Sequence, residues 1–181
     1  LVCDSYVHMV NEKHFRRVCG LIDPDKVIFG GQADERTLRI QPTIMDRVTA
    51  DDAVMQEEIF GPLLPVIAYD SIDEALAFVN GREHPLALYL FSEDPALQKR
   101  VLASMPFGGG CINDTIVHLA TSRMGFGGVG HSGMGSYHGK KSFDTFSHEK
   151  SVLKKSTRID MPVRYMPYTS LKDRLLRVFL R

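Results

Sequence analysis

The sequence contains few cysteines and no long apolar run. Its 181 residues include only Cys3, Cys19 and Cys111, an odd number of thiols without the spacing of a zinc site. This count favours free thiols in a reducing compartment, and we expect a cytoplasmic protein without a bound metal. No stretch approaches the roughly 20 apolar residues of a membrane-spanning helix, and no secretory leader is visible. The first residue is Leu1 rather than methionine, so we expect a piece of a longer protein.

The sequence also lacks net charge, because 22 Lys and Arg residues balance 22 Asp and Glu residues. This balance gives no reason to expect a nucleic-acid partner. The charge is uneven, since residues 150–181 contain nine basic side chains and only two acidic ones. Residues 171–181 place Leu171, Leu175 and Val178 on one helical face and basic residues on the other, which predicts a basic amphipathic helix. Such a helix suits a membrane surface, the mouth of a substrate channel or a partner subunit.

Hydrophobic periodicity predicts an α/β protein that contains a portion of a parallel sheet. Strands and helices alternate between residues 63 and 113, which is typical of a parallel sheet covered by helices. The best helix begins at Ser71, which forms an S-x-x-E capping box with Glu74. We predict helices over residues 11–20, 71–82 and from Asp94 onward, and strands over residues 27–29, 38–44, 63–69, 85–91 and 108–113.

The stretch 56–66 has an unusual order of residue types: two carboxylates, an aromatic residue, a Gly-Pro pair and an apolar run. If the chain is extended here, Glu58 and Phe60 share one face. A carboxylate accepts hydrogen bonds from two neighbouring hydroxyls, and a ring offers a flat apolar surface, so the pair would suit a ribose diol with a planar base. The commoner interpretation is a solvated acidic turn before a strand.

Residues 125–139 include seven glycines. Residues 125–130 match the G-x-G-x-x-G dinucleotide pattern by letter, but no helical periodicity follows and no acidic residue closes a second strand. Residues 134–141 fail as a phosphate loop, because Met134 and Lys141 stand where Gly and Ser or Thr belong. We therefore predict a glycine-rich loop in which backbone segments approach closely.

Cys111 is the cysteine to consider as a nucleophile. A reactive thiol needs a base, a cation or a helix N-terminus nearby, and Cys111 follows three glycines in an apolar strand. We predict a buried structural thiol. His118 and His131 have no spacing that indicates a base for Cys111 or a metal ligand, so we predict a core or surface role for both.

Several motifs in register resemble the NAD(P)-dependent aldehyde dehydrogenases, and the class 3 branch in particular. The resemblance runs from about Met9 to Tyr168. It is carried by N-E-K-H-F at 11–15, E-E-I-F-G-P at 57–62, P-L-A-L-Y at 85–89, I-N-D at 112–114, the glycine-rich run at 126–139 and S-F-D-T-F-S-H at 142–148.

The resemblance implies oxidation of an aldehyde to a carboxylate, with hydride transfer from a cysteine thiohemiacetal to NAD or NADP. It implies that Glu58 binds the nicotinamide ribose, that Phe60 packs beside the nicotinamide and that Phe126 borders the aldehyde pocket. Gly125 replaces the family's usual proline.

The resemblance also implies a division of the chain and a mode of assembly. Residues 1–124 correspond to the C-terminal part of the catalytic α/β domain, 125–140 to an active-site loop, 141–156 to an oligomerisation strand and 157–181 to a basic tail. The strand, from Phe143 to Lys155, implies a homodimer. The tail adds the prospect of peripheral membrane contact.

The family's nucleophile lies in a G-Q-x-C motif, and none of the three cysteines stands in one. We therefore expect the C-terminal third of the enzyme, without a catalytic residue of its own and inactive by itself. A second interpretation is a natural truncated product that acts as an oligomerisation or regulatory module. A third is a self-sufficient thiol enzyme that uses Cys111, which would need a base that the sequence does not reveal.

Overall fold

The computed structural model describes residues 5–179, so Cys3 and the last two residues lie outside the described part. Strands and α-helices alternate between residues 63 and 112. The helices are α1 (Glu12–Cys19), α2 (Ile72–Asn80), α3 (Pro95–Ser104), α4 (Gly139–Phe146) and α5 (Ser170–Phe179). The strands are β1 (Val27–Phe29), β2 (Ala33–Asp34), β3 (Arg39–Ile40), β4 (Thr43–Met45), β5 (Leu63–Pro65), β6 (Ala87–Leu90) and β7 (Gly109–Ile112).

The first sheet joins β1, β4 and β5. β4 lies in the middle, antiparallel to β1 and parallel to β5. The predicted strand over 38–44 is divided, because Pro42 has no N–H for a ladder and separates β3 from β4. The apolar run of residues 27–29 is typical of a buried strand, and this interpretation is wrong, because Ile28 and Phe29 are 64% and 56% exposed. β1 lies at a sheet edge, and no layer of the described chain covers these two side chains.

The second parallel pair, β6 and β7, is flanked by α2 and α3. Tyr89 lies opposite Cys111 in this pairing. The prediction of parallel α/β structure is confirmed, but β5 pairs with β4 rather than β6. The capping box of α2 differs from the prediction in one contact. The Ser71 hydroxyl accepts the Glu74 N–H at 3.2 Å as expected, but the Glu74 carboxylate accepts the N–H of Asp70, at 3.0 Å, rather than that of Ser71.

Two apolar clusters hold these layers together. The larger one joins α1 to the first sheet, and the smaller one packs α2 and α3 against β6 and β7. Burial of apolar side chains is the main favourable term in folding, so the larger cluster fixes the position of α1 on the sheet. Its buried members are Phe15, Val18, Leu21, Ile40, Met45, Val48, Val54 and Leu63.

The predicted strand from Phe143 is wrong at its start, because residues up to Phe146 belong to α4. Contacts of i,i+4 spacing accompany this helix: Lys140 Nζ donates to the Asp144 carboxylate at 2.6 Å, and the Thr145 hydroxyl donates to the Lys141 carbonyl at 2.8 Å. Residues 147–155 pair with no strand of the described chain.

The C-terminal helix α5 confirms the predicted helix as far as the described residues reach. Leu171 and Val178 are 66% and 71% exposed, so much of its apolar stripe is uncovered. None of the helices within residues 5–179 is both long enough and apolar enough to cross a membrane.

Candidate functional site

The backbone of residues 57–59 is held by Arg17 of α1. Its guanidinium donates to the Ile59 carbonyl at 2.6 Å and, through Nη1, to the Glu58 carbonyl and the Glu57 carboxylate at 3.1 Å each. Glu57 therefore takes part in a structural contact with α1. The clamp fixes the main chain at Glu58 and leaves the Glu58 carboxylate available.

Phe60 does not continue an extended chain. Its φ is 44°, in the left-handed region that non-glycine residues rarely adopt. The argument from alternating strand positions, which put Glu58 and Phe60 on one face, is therefore wrong. The turn is followed by Gly61, where an added Cβ would lie 2.7 Å from Cγ1 of the buried Val18. Only glycine lets this corner approach α1 so closely.

The two predicted cofactor residues line different clefts. Glu58 is exposed and borders a polar cleft of about 570 Å³ that Arg82 and Glu83 also line. Phe60 is 77% exposed and borders an apolar cleft of about 430 Å³, together with Met9 and other residues that precede α1. Within the described chain, no side chain hydrogen-bonds the Glu58 carboxylate. The motif thus presents a free anionic acceptor on one side and a ring on the other.

The glycine-rich segment forms the predicted loop. Phe126 and Tyr137 pair in both directions, with N–H···O distances of 2.9 and 3.0 Å, and so close its base. Inside it, a Cβ added at Gly127 would lie 2.1 Å from the Gly135 carbonyl oxygen, and one at Gly128 equally close to that of Ser132. The prediction of close backbone approach is confirmed.

Phe126 lies in an aromatic cluster that reaches from the loop to β6. Its ring centroid is 5.9 Å from those of His118 and Tyr137 and 6.1 Å from that of His138, while His118 lies 5.8 Å from Tyr89. None of the ring contacts within residues 5–179 joins Phe126 to Phe60. The aromatic cluster thus brings Phe126 together with His118, Tyr137 and His138.

Sequence reasoning missed a contact between Cys111 and His118. Cys111 Sγ lies 3.5 Å from His118 Nδ1. His118 is only 6% exposed, as expected of a core histidine, whereas His131 is exposed and lies 3.6 Å from the Glu83 carboxylate. Cys111 lies in a strand as predicted, but it is half-buried rather than buried. The chain then turns and places His118 over β7, and no periodicity in the sequence indicates this return.

Arg17 was missed for a similar reason. A basic residue in the last turn of a helix is common, and nothing in its spacing from residue 57 indicates contact. No cluster of three or more potential metal ligands lies within the described range.

A family comparison decides what these motifs share. The profile of the aldehyde dehydrogenase family matches residues 6–152. The chain belongs to the aldehyde dehydrogenase family.

Its relatives among aldehyde dehydrogenases include 4,4'-diaponeurosporen-aldehyde dehydrogenase of Staphylococcus aureus, 51% identical over 98% of this chain and 39% of that protein. Aldehyde dehydrogenase family 3 member B1 of Bos taurus is 48% identical over 95% of this chain and 36% of its own length. The dimeric NADP-preferring aldehyde dehydrogenase of Rattus norvegicus is 51% identical over 84% of this chain and 34% of its own length. The family 3 relatives confirm the class 3 resemblance, and the chain spans about two fifths of the length of these proteins or less.

Solved aldehyde dehydrogenase structures confirm the fold. The substrate-bound structure of Staphylococcus aureus AldH superposes with a TM-score of 0.90 at 51% identity, covering 97% of this chain and 39% of that one. The NAD+ complex of a Bacillus cereus aldehyde dehydrogenase gives a TM-score of 0.72 at 29% identity, covering 80% of this chain and 30% of that one.

Proposed function

We propose that this chain is the C-terminal portion of a class 3-type aldehyde dehydrogenase and supplies part of the wall around the cofactor and substrate. The observation that carries the proposal is the Glu58 carboxylate, which is exposed at a cleft without a described partner while Arg17 fixes its backbone. A carboxylate held in this way suits a ligand that brings hydroxyl donors.

The cofactor in this proposal is NAD or NADP. An acceptor-only carboxylate fits the two hydroxyls of a ribose, and the exposed Phe60 ring fits a planar base edge. Glu58 would accept hydrogen bonds from the nicotinamide ribose, and Phe60 would limit water near the ring. The bound dinucleotide would supply the hydride acceptor. The rat relative is called NADP-preferring and the Bacillus cereus structure holds NAD+, so both dinucleotides are candidates.

The substrate in this proposal is an aldehyde, and the product is its carboxylate. Phe126, held by the loop base and the aromatic cluster, would border the aldehyde pocket as an apolar wall. The nucleophilic thiol would come from a G-Q-x-C segment that these 181 residues do not contain. We therefore propose that the chain has no dehydrogenase activity by itself.

The experiment compares the chain alone with the full-length native protein in an aldehyde-dependent assay of dinucleotide reduction. We expect reduction by the full-length protein and none by the chain alone. Activity of the isolated chain that is lost in Cys111→Ser would instead establish the self-sufficient thiol enzyme. A full-length protein that reduces neither dinucleotide with any aldehyde would refute the proposal.

Assembly as a homodimer is part of the proposal. The segment after α4 exposes Val152 and Leu153 to 75% and 95%, and the rat relative is called dimeric. We expect Leu153→Asp to convert dimer to monomer in light scattering of the full-length protein, while Met134→Asp, at a fully exposed loop position, leaves the dimer intact. A Leu153→Asp protein that stays dimeric would contradict this assignment. Dimers of the chain alone would favour the non-catalytic oligomerisation module.

The basic tail is the last part of the proposal. α5 carries exposed apolar side chains beside basic ones, the composition of helices that lie on anionic membranes. The proposed location is therefore the cytoplasm, with membrane contact at the periphery. Sedimentation with anionic vesicles at low salt is expected for the full-length protein and should be lost on deleting residues 170–181. Failure of the intact protein to sediment would exclude the membrane role.

A further inference from the structure

One thiol–imidazole pair has no role in the proposed chemistry. Cys111 Sγ and His118 Nδ1 are 3.5 Å apart, within hydrogen-bond distance for sulfur. Both lie on the face of β6 and β7 that carries Tyr89, opposite the helices α2 and α3. A Cβ added at Gly109 would lie 3.1 Å from His118 Cδ2, so the glycine leaves room for the ring.

The far side of the His118 ring decides how the contact is oriented. Nε2 is fully enclosed and has no hydrogen-bond partner within residues 5–179. A buried N–H without an acceptor is rarer in proteins than a buried acceptor without a donor. We assign the ring proton to Nδ1 on this ground, so that Nδ1 donates to Cys111 Sγ. A hydrogen bond donated to sulfur favours its anionic, nucleophilic form.

We propose that Cys111 and His118 form a second reactive thiol site, which is alkylated by α,β-unsaturated carbonyl compounds. Cys111 is half-buried rather than fully buried, and the proposal requires that a small electrophile reach its sulfur. This inference goes beyond the proposed dehydrogenase, because it concerns a thiol outside the G-Q-x-C motif and requires no cofactor.

The reaction is an addition with no leaving group and no oxidant. The thiol proton passes to water, and the sulfur forms a bond to the β-carbon of the electrophile. The electrons of the carbon–carbon double bond move toward the carbonyl, and the α-carbon then takes a proton from water. The product is a thioether. The His118 N–H stays hydrogen-bonded to the sulfur while the sulfur carries negative charge, before the carbon–sulfur bond forms.

Cys19 is a matched control inside the same molecule. It is also half-buried, and burial raises the pKa of its thiol above the ordinary value. Cys19 should therefore be a slow thiol at neutral pH, because the thiolate is the form that reacts.

The experiment exposes the full-length native protein to acrolein near neutral pH and follows each cysteine by peptide mass spectrometry. We expect Cys111 to be alkylated about tenfold faster than Cys19, because the His118 N–H lies against the Cys111 sulfur while burial raises the pKa of the Cys19 thiol. His118→Phe keeps a ring between Tyr89 and Phe126 but removes Nδ1, and should slow the labelling of Cys111 while that of Cys19 is unchanged. His118→Asn keeps an N–H near the same position and should slow Cys111 labelling less.

Cys111 labelling no faster than Cys19 labelling in the native protein would overturn the proposal, whatever the variants do. Equal Cys111 rates in His118→Phe and the native protein would overturn the role of the imidazole. Because labelling is read by mass, the result is independent of dehydrogenase activity, and failure of one proposal leaves the other standing.

Discussion

Residues 12–67 and residues 139–179 of this chain are stabilised in different ways. The first region buries eight side chains in one apolar cluster between α1 and the first sheet. Within the described part of the second, Val163 alone is a buried hydrophobic residue, while Phe146 and Leu153 are 89% and 95% exposed. The first region therefore has a buried core of its own, whereas most apolar side chains of the second region are exposed in the described chain.

Polar contacts take the place of a core in the second region. The Asp160 carboxylate accepts hydrogen bonds from Lys155 Nζ and the Tyr165 hydroxyl. Lys172 of α5 donates to the carbonyls of Tyr165 and Pro167 at 2.8 and 3.0 Å. Exposed ion pairs contribute little to stability. The E-E-I-F-G-P motif therefore lies in the region that contains the larger buried apolar cluster.

The largest expected effect tests this contrast directly. Ile40 is only 1% exposed, and Ile40→Ala should lower the free energy of unfolding by about 2–5 kcal/mol through lost burial and a cavity. Leu153→Ala should change it by less than about 0.5 kcal/mol at protein concentrations where the chain is monomeric. Urea denaturation of both variants measures the difference. Equal losses would mean that the two regions share one core.

A smaller effect is expected where the motif meets α1. Gly61→Ala places a methyl group against Val18 and should cost about 1–3 kcal/mol by overpacking. Adding Val18→Ala removes the methyl groups that obstruct it, so the double variant should be more stable than the sum of the single losses predicts. Simple additivity in the denaturation series would show that the close approach has no energetic consequence.

Two adjacent arginines provide the next test. Arg17, with 24% of its side chain exposed, clamps residues 57–59, whereas Arg16 is 67% exposed and pairs with surface carboxylates. Arg17→Gln should cost roughly 1–2 kcal/mol, because hydrogen bonds from a charged donor are lost. Arg16→Gln should cost less than about 0.5 kcal/mol. A reversal of this order in thermal or urea unfolding would contradict the clamp.

The smallest effect concerns the polar contacts of the second region. Lys155, followed by Tyr165, holds the pKa of Asp160 well below its usual range, and Asp160 raises the pKa of Tyr165. The Asp160 contribution is therefore present above its unfolded pKa near 4 and is lost as pH falls below it, while the Tyr165 contribution is lost as pH rises beyond about 10. Asp160→Asn should lower the pKa of Tyr165 in an NMR titration. An unchanged pKa of Tyr165 would show that the Asp160 carboxylate does not interact with the Tyr165 hydroxyl.

Sequence patterns predicted the elements of this fold better than their surroundings. Asn11, Ser71 and Asp94 mark the starts of α1, α2 and α3, because a cap acts within one turn of chain. The pairing of β5 with β4 and the exposure of β1 depend on which strands are neighbours in space, which periodicity does not encode.

The site shows the same division between local and long-range information. Glu58 and Phe60 could be selected by residue type and by resemblance to the family, and the glycine-rich loop by its composition. The positive φ of Phe60 and the Arg17 clamp depend on packing against α1. The contact of His118 with Cys111 depends on a turn that returns over β7.

The most direct test of the central claim is single-turnover hydride transfer in full-length Glu58→Gln, measured alongside dinucleotide affinity. Glu83→Gln is the matched control, because Glu83 lines the same cleft. We predict that Glu58→Gln slows the transfer or weakens dinucleotide binding by roughly tenfold or more, since hydrogen bonds to a charged acceptor contribute about 1.5–3 kcal/mol, and that Glu83→Gln changes neither. A folded Glu58→Gln protein with native transfer rate and native affinity would contradict the assignment of Glu58 to the cofactor.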